Sequence, residues 1–274
     1  MTCSLMPLPP NIWSPSSIHG EWLTDFRSFR ASAVVLRHTD WGEADRLLTL
    51  YTRDHGIVRA LAKGARKVTS RKAGHLQPFT HITVQLAKGR DLLIITQVET
   101  VNAFLPLHDD LMKTGYAAYT VELLLRFSYE EEGANPSIFR LLVETLDRLE
   151  KEVDAWLPVR YYEMRLLDAV GFRPQMFECA NCGREILPED QYFSYTAGGV
   201  ICPRCGEGLN NLSRISLETL KYLRHFQRSS YRDASRARPS PEVQKEAETL
   251  MQGYFTYLLE RELNTPGFLK KVKS

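Results

Sequence analysis

His81-Ile82-Thr83-Val84-Gln85-Leu86-Ala87 alternates apolar and polar residues, Lys88-Gly89-Arg90-Asp91 breaks the pattern, and Leu92-Leu93-Ile94-Ile95 resumes an apolar run. A period of two puts Ile82, Val84 and Leu86 on one face of a strand and Thr83 and Gln85 on the other. The glycine-containing tetrapeptide between the runs is a hairpin turn, so the stretch reads as strand, turn, strand. Working outward, residues 31–38, 46–52 and 57–63 are three earlier runs of the same kind, and 81–87 and 92–101 are the fourth and fifth. Asp54-His55-Gly56 supplies a tight turn between the second and third. Five strands in about 70 residues, with the longest connection between the third and fourth, suit a small closed β-barrel. An OB-fold is one such architecture, and an SH3-like barrel has nearly the same strand count.

Beyond residue 105 the period becomes helical. Residues 111–131 repeat apolar groups three and four apart (Tyr116, Tyr119, Val121, Leu124, Leu125), and 137–151 set Phe139, Leu142, Leu146 and Leu149 on one stripe. Pro158 falls early in the next helix, where it is tolerated, and that helix ends at Gly171 before Pro174. Two more helices are expected over 217–227 and 241–263, the second opened by an N-cap and first-turn proline, Ser240-Pro241. The terminal Lys270-Lys271-Val272-Lys273 reads as a frayed basic tail. At the other end, Pro7, Pro9, Pro10 and Pro15 and the absence of periodicity make residues 1–29 a poorly ordered extension, although Trp13, Trp22, Phe26 and Phe29 leave room for a docked segment. The expected fold class is α+β multidomain: an N-terminal OB-fold-like β-barrel (30–104) followed by an α-helical domain (105–175 and 209–270) that carries a four-cysteine zinc-binding insert (176–208).

The insert contains four of the five cysteines, as Cys179-Ala180-Asn181-Cys182 before Gly183 and Cys202-Pro203-Arg204-Cys205 before Gly206. Each pair can hold one side of a metal ion from a tight turn, and four thiolates suit the closed tetrahedral shell of a structural Zn²⁺. Two disulfides or a redox dithiol are the competing readings. No apolar run approaches the ~18 residues of a membrane span, and the N-terminus lacks the pattern of a signal peptide. A reducing cytosol is therefore expected, and it favours metal ligation over disulfides. Cys3 reads as an incidental thiol.

The 274-residue chain is 43% hydrophobic and 25% charged, an ordinary globular composition, and its net charge of +2 points to no partner. Distribution is more informative. Between Arg59 and Arg90 lie eight cations (Arg59, Lys63, Arg66, Lys67, Arg71, Lys72, Lys88 and Arg90) and no Asp or Glu. On a barrel these can converge into a groove that follows a phosphate backbone, with counterion release supplying affinity. The plainer reading is a solvated loop serving solubility. Phe79, His75 and Tyr51 are candidate stacking surfaces, though packing suits each better. A second series, Arg224, Arg228, Arg232 and Arg236, has helical spacing, but Ser229-Ser230 and Pro239 place a helix end partway along it.

Catalytic motifs are missing. The chain has no GxxxxGK[ST], no HExxH and no GxSxG, its seven histidines are scattered, and Asp109-Asp110 and Glu130-Glu131-Glu132 fall at helix ends. A nucleic-acid ligase also combines an OB barrel with four cysteines, but its KxDG motif is absent. The sequence points to a protein that binds and does not catalyse.

The order of parts resembles the RecO family of bacterial recombination mediators. Ala33-Val34-Val35-Leu36 with Gly42-Glu43-Ala44-Asp45-Arg46-Leu47-Leu48 is similar to the family's opening strand, turn and second strand. Ala62-Lys63-Gly64-Ala65-Arg66-Lys67 and Leu76-Gln77-Pro78-Phe79 resemble its third strand and following loop, and Leu166-Leu167-Asp168-Ala169-Val170-Gly171-Phe172-Arg173-Pro174 resembles the helix leading into its zinc module. Residues 1–29 have no counterpart. The resemblance implies a non-enzymatic DNA-repair protein that binds single- and double-stranded DNA, anneals complementary strands, and acts with RecR on strands coated by single-strand-binding protein so that RecA can load. It also implies a structural zinc and a contact, on the helical domain, for the acidic C-terminal tail of single-strand-binding protein. The expected location is the cytoplasm, at the nucleoid during repair. The rival reading is an adaptor whose basic barrel loop docks an acidic protein partner.

Overall fold

The computed structural model describes residues 27–128, 133–261 and 263–273. Alternating apolar residues fold the N-terminal third into five strands: β1 (Ser28–Trp41), β2 (Asp45–Thr52), β3 (Gly56–Ala62), β4 (His81–Lys88) and β5 (Leu93–Asn102). They close into a barrel in the order β1-β2-β3-β5-β4, with β4 returning to β1. Every neighbouring pair is antiparallel except β3 and β5, which run parallel. This is an OB-fold-like barrel, and the strand order separates it from the SH3-like alternative. β1 is longer than its sequence run because a bulge between Val35 and Arg37 lets one strand pair with β4 along its first half and β2 along its second. Ser28 and Phe29, expected in the extension, therefore belong to the barrel, and the rest of the proposed extension up to Phe26 lies outside the described residues.

The interior is narrow and lined by Ala31, Ala33, Ala60 and Ala62 beside Val35, Leu48, Leu50, Val84, Leu86 and Ile95. Ile82, Val84 and Leu86 are fully buried, as the alternation of β4 requires. A short 3₁₀ helix, Ala73–Leu76, sits in the long β3–β4 connection and drives Leu76 into the barrel core.

The opposite faces of the same strands carry a second apolar set. Val34, Leu36, Tyr51 and Ile57, with Phe79 from the β3–β4 connection, join a core built mainly from helices. These are α1 (Leu105–Asp109), α2 (Leu111–Phe127), α3 (Pro136–Lys151), α4 (Trp156–Ala169), α5 (Pro203–Gly206), α6 (Leu217–Arg228), α7 (Tyr231–Ala234), α8 (Pro241–Leu259) and α9 (Asn264–Lys273). Side-chain caps start several of them: Asp110 for α2, Asn135 for α3, Ser216 for α6 and Ser240 for α8. Three short strands, β6 (Gln191–Ser194), β7 (Gly199–Ile201) and β8 (Ser213–Ile215), form a separate sheet in the order β7-β6-β8.

Three expectations need correction. The helix expected over 111–131 ends at Phe127, and Glu130-Glu131-Glu132 lies outside the described residues. The helix expected over 241–263 stops at Leu259, where Glu260 turns to a left-handed φ of 51°. The basic tail is the end of helix α9, whose first residues are capped from afar: Glu122 of α2 accepts hydrogen bonds from the backbone N–H groups of Asn264 and Thr265 and from both their side chains, at 2.6–2.9 Å. Those bonds outweigh partial burial and draw the Glu122 carboxyl below its ordinary value. Among the described residues no helix is long and apolar enough to cross a membrane.

Among the described residues, Glu163 and Arg160 form an ionic group wholly buried in the helical core. Glu163 on α4 accepts a 2.5 Å hydrogen bond from Tyr119 Oη and pairs with Arg160 at 2.8 Å. Burial pushes its carboxyl up to about 7, while Arg160 and Tyr119 hold it from rising further. A carboxyl whose folded pKa exceeds its ordinary 4.5 holds its proton more tightly folded than unfolded. Its contribution to stability is then complete below the unfolded value and is lost as pH rises through the folded one. In urea unfolding, the parent should lose stability relative to Glu163→Gln between about pH 5 and pH 7. A pH-independent difference would mean that Arg160 keeps the carboxylate ionised throughout.

Candidate metal centre and nucleic-acid face

The insert brings its four cysteines together. The sulfurs of Cys179, Cys182, Cys202 and Cys205 all lie within 4.8 Å of one another, a donor set that can hold a metal ion. All four are free thiols, and Cys182 and Cys202 Sγ stand 4.0 Å apart, about twice a disulfide bond length. Each pair sits in a tight turn. In the first, Gly183 takes a φ of +70° and its N–H returns to Cys179 O at 2.8 Å. In the second, Pro203 opens the single-turn helix α5, and the N–H groups of Cys205 and Gly206 bond Cys202 O at 3.0 and 2.9 Å. Gly206 is needed for space, because a Cβ there would strike the Tyr192 ring.

The sulfurs differ electrostatically. Burial pushes the Cys179 thiol up, but N–H groups of Cys202, Cys182 and Asn181 aimed at its sulfur prevail and draw it down to about 6. Cys205, sharing hydrogen bonds with Cys202 and Cys182, is pushed up to about 12. Backbone dipoles thus favour one thiolate, and a cation is the group that would favour all four.

The module has no separate core. Met176, Cys179, Ile186, Phe193, Val200, Ile201 and Ile215 belong to the same buried cluster as the helices. Two members of the second basic series fasten it: Arg224 Nε bonds Met176 O at 2.8 Å, and the Arg228 guanidinium lies 3.4 Å from the centre of the Phe177 ring. Helix α6 ends at Arg228, in keeping with the helix end read from the sequence; Arg232 falls in α7, and Arg236 pairs with Asp233 at 3.4 Å.

The eight cations of the barrel lie along the β3 flank. Arg59 is half-buried on β3 opposite Thr49, whose hydroxyl accepts from Arg37 Nε at 3.3 Å. Lys63, Lys67 and Arg71 are exposed in the connection that follows. Lys88 and Arg90 are exposed at the β4–β5 hairpin, which comes alongside the middle of β3 because Ala60 pairs with Leu93. Lys63 is four residues along from Arg59, about 13 Å at strand rise. The cations therefore form a band and do not meet at a point.

Lys72 and Arg66 are engaged within the protein. Lys72 Nζ donates to Ile95 O at 2.9 Å, tying the connection to β5. Arg66 donates to Gly42 O at 3.0 Å and pairs with Asp40 at 3.3 Å. The linear absence of acids from Arg59 to Arg90 thus misses Asp40 and Asp45, which the β1–β2 turn carries to the loop. With Arg66 and Asp40 both partly exposed, the pair stabilises by no more than ~1 kcal/mol and a phosphate can compete for the guanidinium. Arg37, which the sequence reading passed over, lies in register with Thr49 and Arg59; strand pairing is the signal that finds it. Tyr51 and Phe79 are buried packing residues, and His75 bonds Thr100 at 2.7 Å.

A closed barrel of this order, a helical domain on its outer face and a four-thiol cluster sharing the helical core define an OB-fold-like, two-part protein with a candidate metal centre. The description "Recombination protein O N terminal" matches residues 26–104, and "Recombination protein O C terminal" matches 108–266. The chain belongs to the RecO family. It is 40% identical over 248 residues to a DNA repair protein RecO from Roseiflexus sp. strain RS-1, covering 90% of this chain and 87% of that one. It is 36% identical over 240 residues to the DNA repair protein RecO of Dehalococcoides mccartyi strain 195, covering 88% and 94%. With the namesake from Symbiobacterium thermophilum the identity is 34% over 251 residues, covering 90% and 98%.

Cys179→Ser or Cys202→Ser should lower the metal content measured by elemental analysis and reduce the melting temperature, with helical and module signals lost together because they share one core. Full metal content in Cys202→Ser would remove that sulfur from the donor set.

Proposed function

We propose that this chain is a non-enzymatic DNA-repair protein that binds single- and double-stranded DNA, anneals complementary strands, and acts with RecR to load RecA on DNA coated by single-strand-binding protein. The observation that carries the reading is the position of the cations. They follow β3 and the loops around it on a closed barrel of OB-like order, and barrels of this kind take oligonucleotides on the face of strands 2 and 3 and in the β1–β2 and β4–β5 loops. Arg59 stands on that face, Lys88 and Arg90 in the β4–β5 hairpin, and Lys63, Arg66 and Lys67 in the loop that Gly64 and Arg66 fasten to the β1–β2 turn, with Arg71 further along the same connection.

Annealing asks for charge neutralisation and exposed bases, not for a bond to be made or broken. Lysine and arginine side chains on phosphates reduce repulsion between two backbones while the base edges stay free to pair. The four thiolates would hold Zn²⁺, which supplies structural cross-linking of the module and no open coordination position for chemistry. The acidic tail of single-strand-binding protein is assigned to the helical domain, and the site of action to the nucleoid.

Two experiments test this. Annealing of complementary oligonucleotides coated with single-strand-binding protein, without ATP, should be accelerated by the intact protein; no acceleration would favour an adaptor that docks an acidic partner. Replacing the exposed Lys63, Lys67, Arg71 and Arg90 together by Ala should weaken binding and flatten the salt dependence by up to about three units of log–log slope, from ~0.7 per single-strand phosphate contact. An unchanged slope would take these side chains out of the interface.

A further inference from the structure

The β1–β2 hairpin tip carries a feature that charge does not explain. Trp41, the last residue of β1, leaves 50% of its surface in water, whereas Trp156 in the helical core is buried. An indole at a tip forgoes much of the free energy its burial would bring. The tip is also held fast. Gly42 makes the turn with a φ of +58°, and Asp45, which pairs with Trp41 across the hairpin, accepts the Gly64 N–H at 2.7 Å. The Arg66 N–H bonds Ala44 O at 2.9 Å, and its guanidinium bonds Gly42 O and Asp40. Backbone and side chain thus fasten the tip to the basic loop at Gly64 and Arg66, so the turn that carries the indole is held in place.

A half-exposed indole on a turn fastened to a basic loop has the chemistry of a nucleobase platform: the ring offers a stacking face and the cations of the loop hold the flanking phosphates. Bases in a duplex already stack on one another, so such a platform is useful only to an unpaired base. We propose that Trp41 is a base-stacking residue that gives the basic face its preference for single-stranded over duplex DNA. This rests on the DNA-binding reading above and adds a strand-selecting residue to it. Tyr51 and Phe79 do not compete for the role, because both are buried.

The test is fluorescence anisotropy of the full chain with a labelled oligothymidylate and with a duplex of equal length, comparing parent, Trp41→Ala and Trp41→Phe across a salt series. Trp41→Ala should weaken single-strand binding roughly 5- to 100-fold, the range for losing one stacked base, with duplex affinity and salt slope unchanged. Trp41→Phe should retain most of the single-strand affinity. If the parent binds DNA and Trp41→Ala binds single strands equally well, the stacking assignment falls and the DNA-binding reading stands. If Trp41→Ala loses single-strand and duplex binding alike, Trp41 supports the loop and the assignment also falls. A parent that binds neither substrate would overturn the DNA-binding reading itself.

Discussion

Barrel closure hangs on a short parallel seam in which Ala60 and Leu61 of β3 face Leu93 and Ile94 of β5. The remaining strand pairings are longer and antiparallel, so without this seam β3 and β5 would each present an open edge of unpaired N–H and C=O groups. Small residues permit it. Ala60 and Ala62 let the walls approach, and Gly89 admits the Leu92 carbonyl where a Cβ would collide. The seam also sets the geometry of the basic band, because it brings the β4–β5 hairpin beside β3 while the end of β3 delivers Lys63 and the loop to the β1–β2 tip. The location of charge on this protein is a consequence of how the barrel is shut.

The strands have two apolar faces with different destinations. Ala33 and Val35 point into the barrel, and the alternate residues Val34 and Leu36 join the helical core. That core continues through α4 and α6 into the cysteine module, where the Arg224 and Arg228 contacts with Met176 and Phe177 hold the first thiol hairpin against α6. The solvated remainder of the barrel is the outer end of β1, most of β5 and the loops at the end of β3.

Local sequence made the strands legible because their alternation reports burial directly, as at Ile82, Val84 and Leu86. The doubled Cys-x-x-Cys was equally plain, since its spacing is a property of a turn. What sequence could not convey depends on residues far apart in the chain. Helix α9 has Pro266 and Gly267 in its first turns and forms against α2, where Leu269 and Phe268 pack over Gly115 and Glu122 supplies a cap 142 residues away. The acids that meet the basic loop come from Asp40 and Asp45, before the run that was counted. The three-stranded sheet of the module consists of strands three or four residues long, too brief to show a period. Eight cations in a row were visible; that Lys72 turns inward to a carbonyl was not.

The single core shared by helices and cysteine module bears on how a cell would experience metal scarcity. A module with its own core could lose its ion and dangle, leaving a working barrel on a damaged chain. Here the buried Cys179, Phe193 and Val200 sit in the same packing as Leu220, Leu223 and Phe226 of α6, so a chain that lost an ion held by the four thiols would loosen part of the helical interior as well. Such chains expose apolar surface to proteases and chaperones. Loss of such an ion would then lower the number of intact molecules and not only the quality of each one.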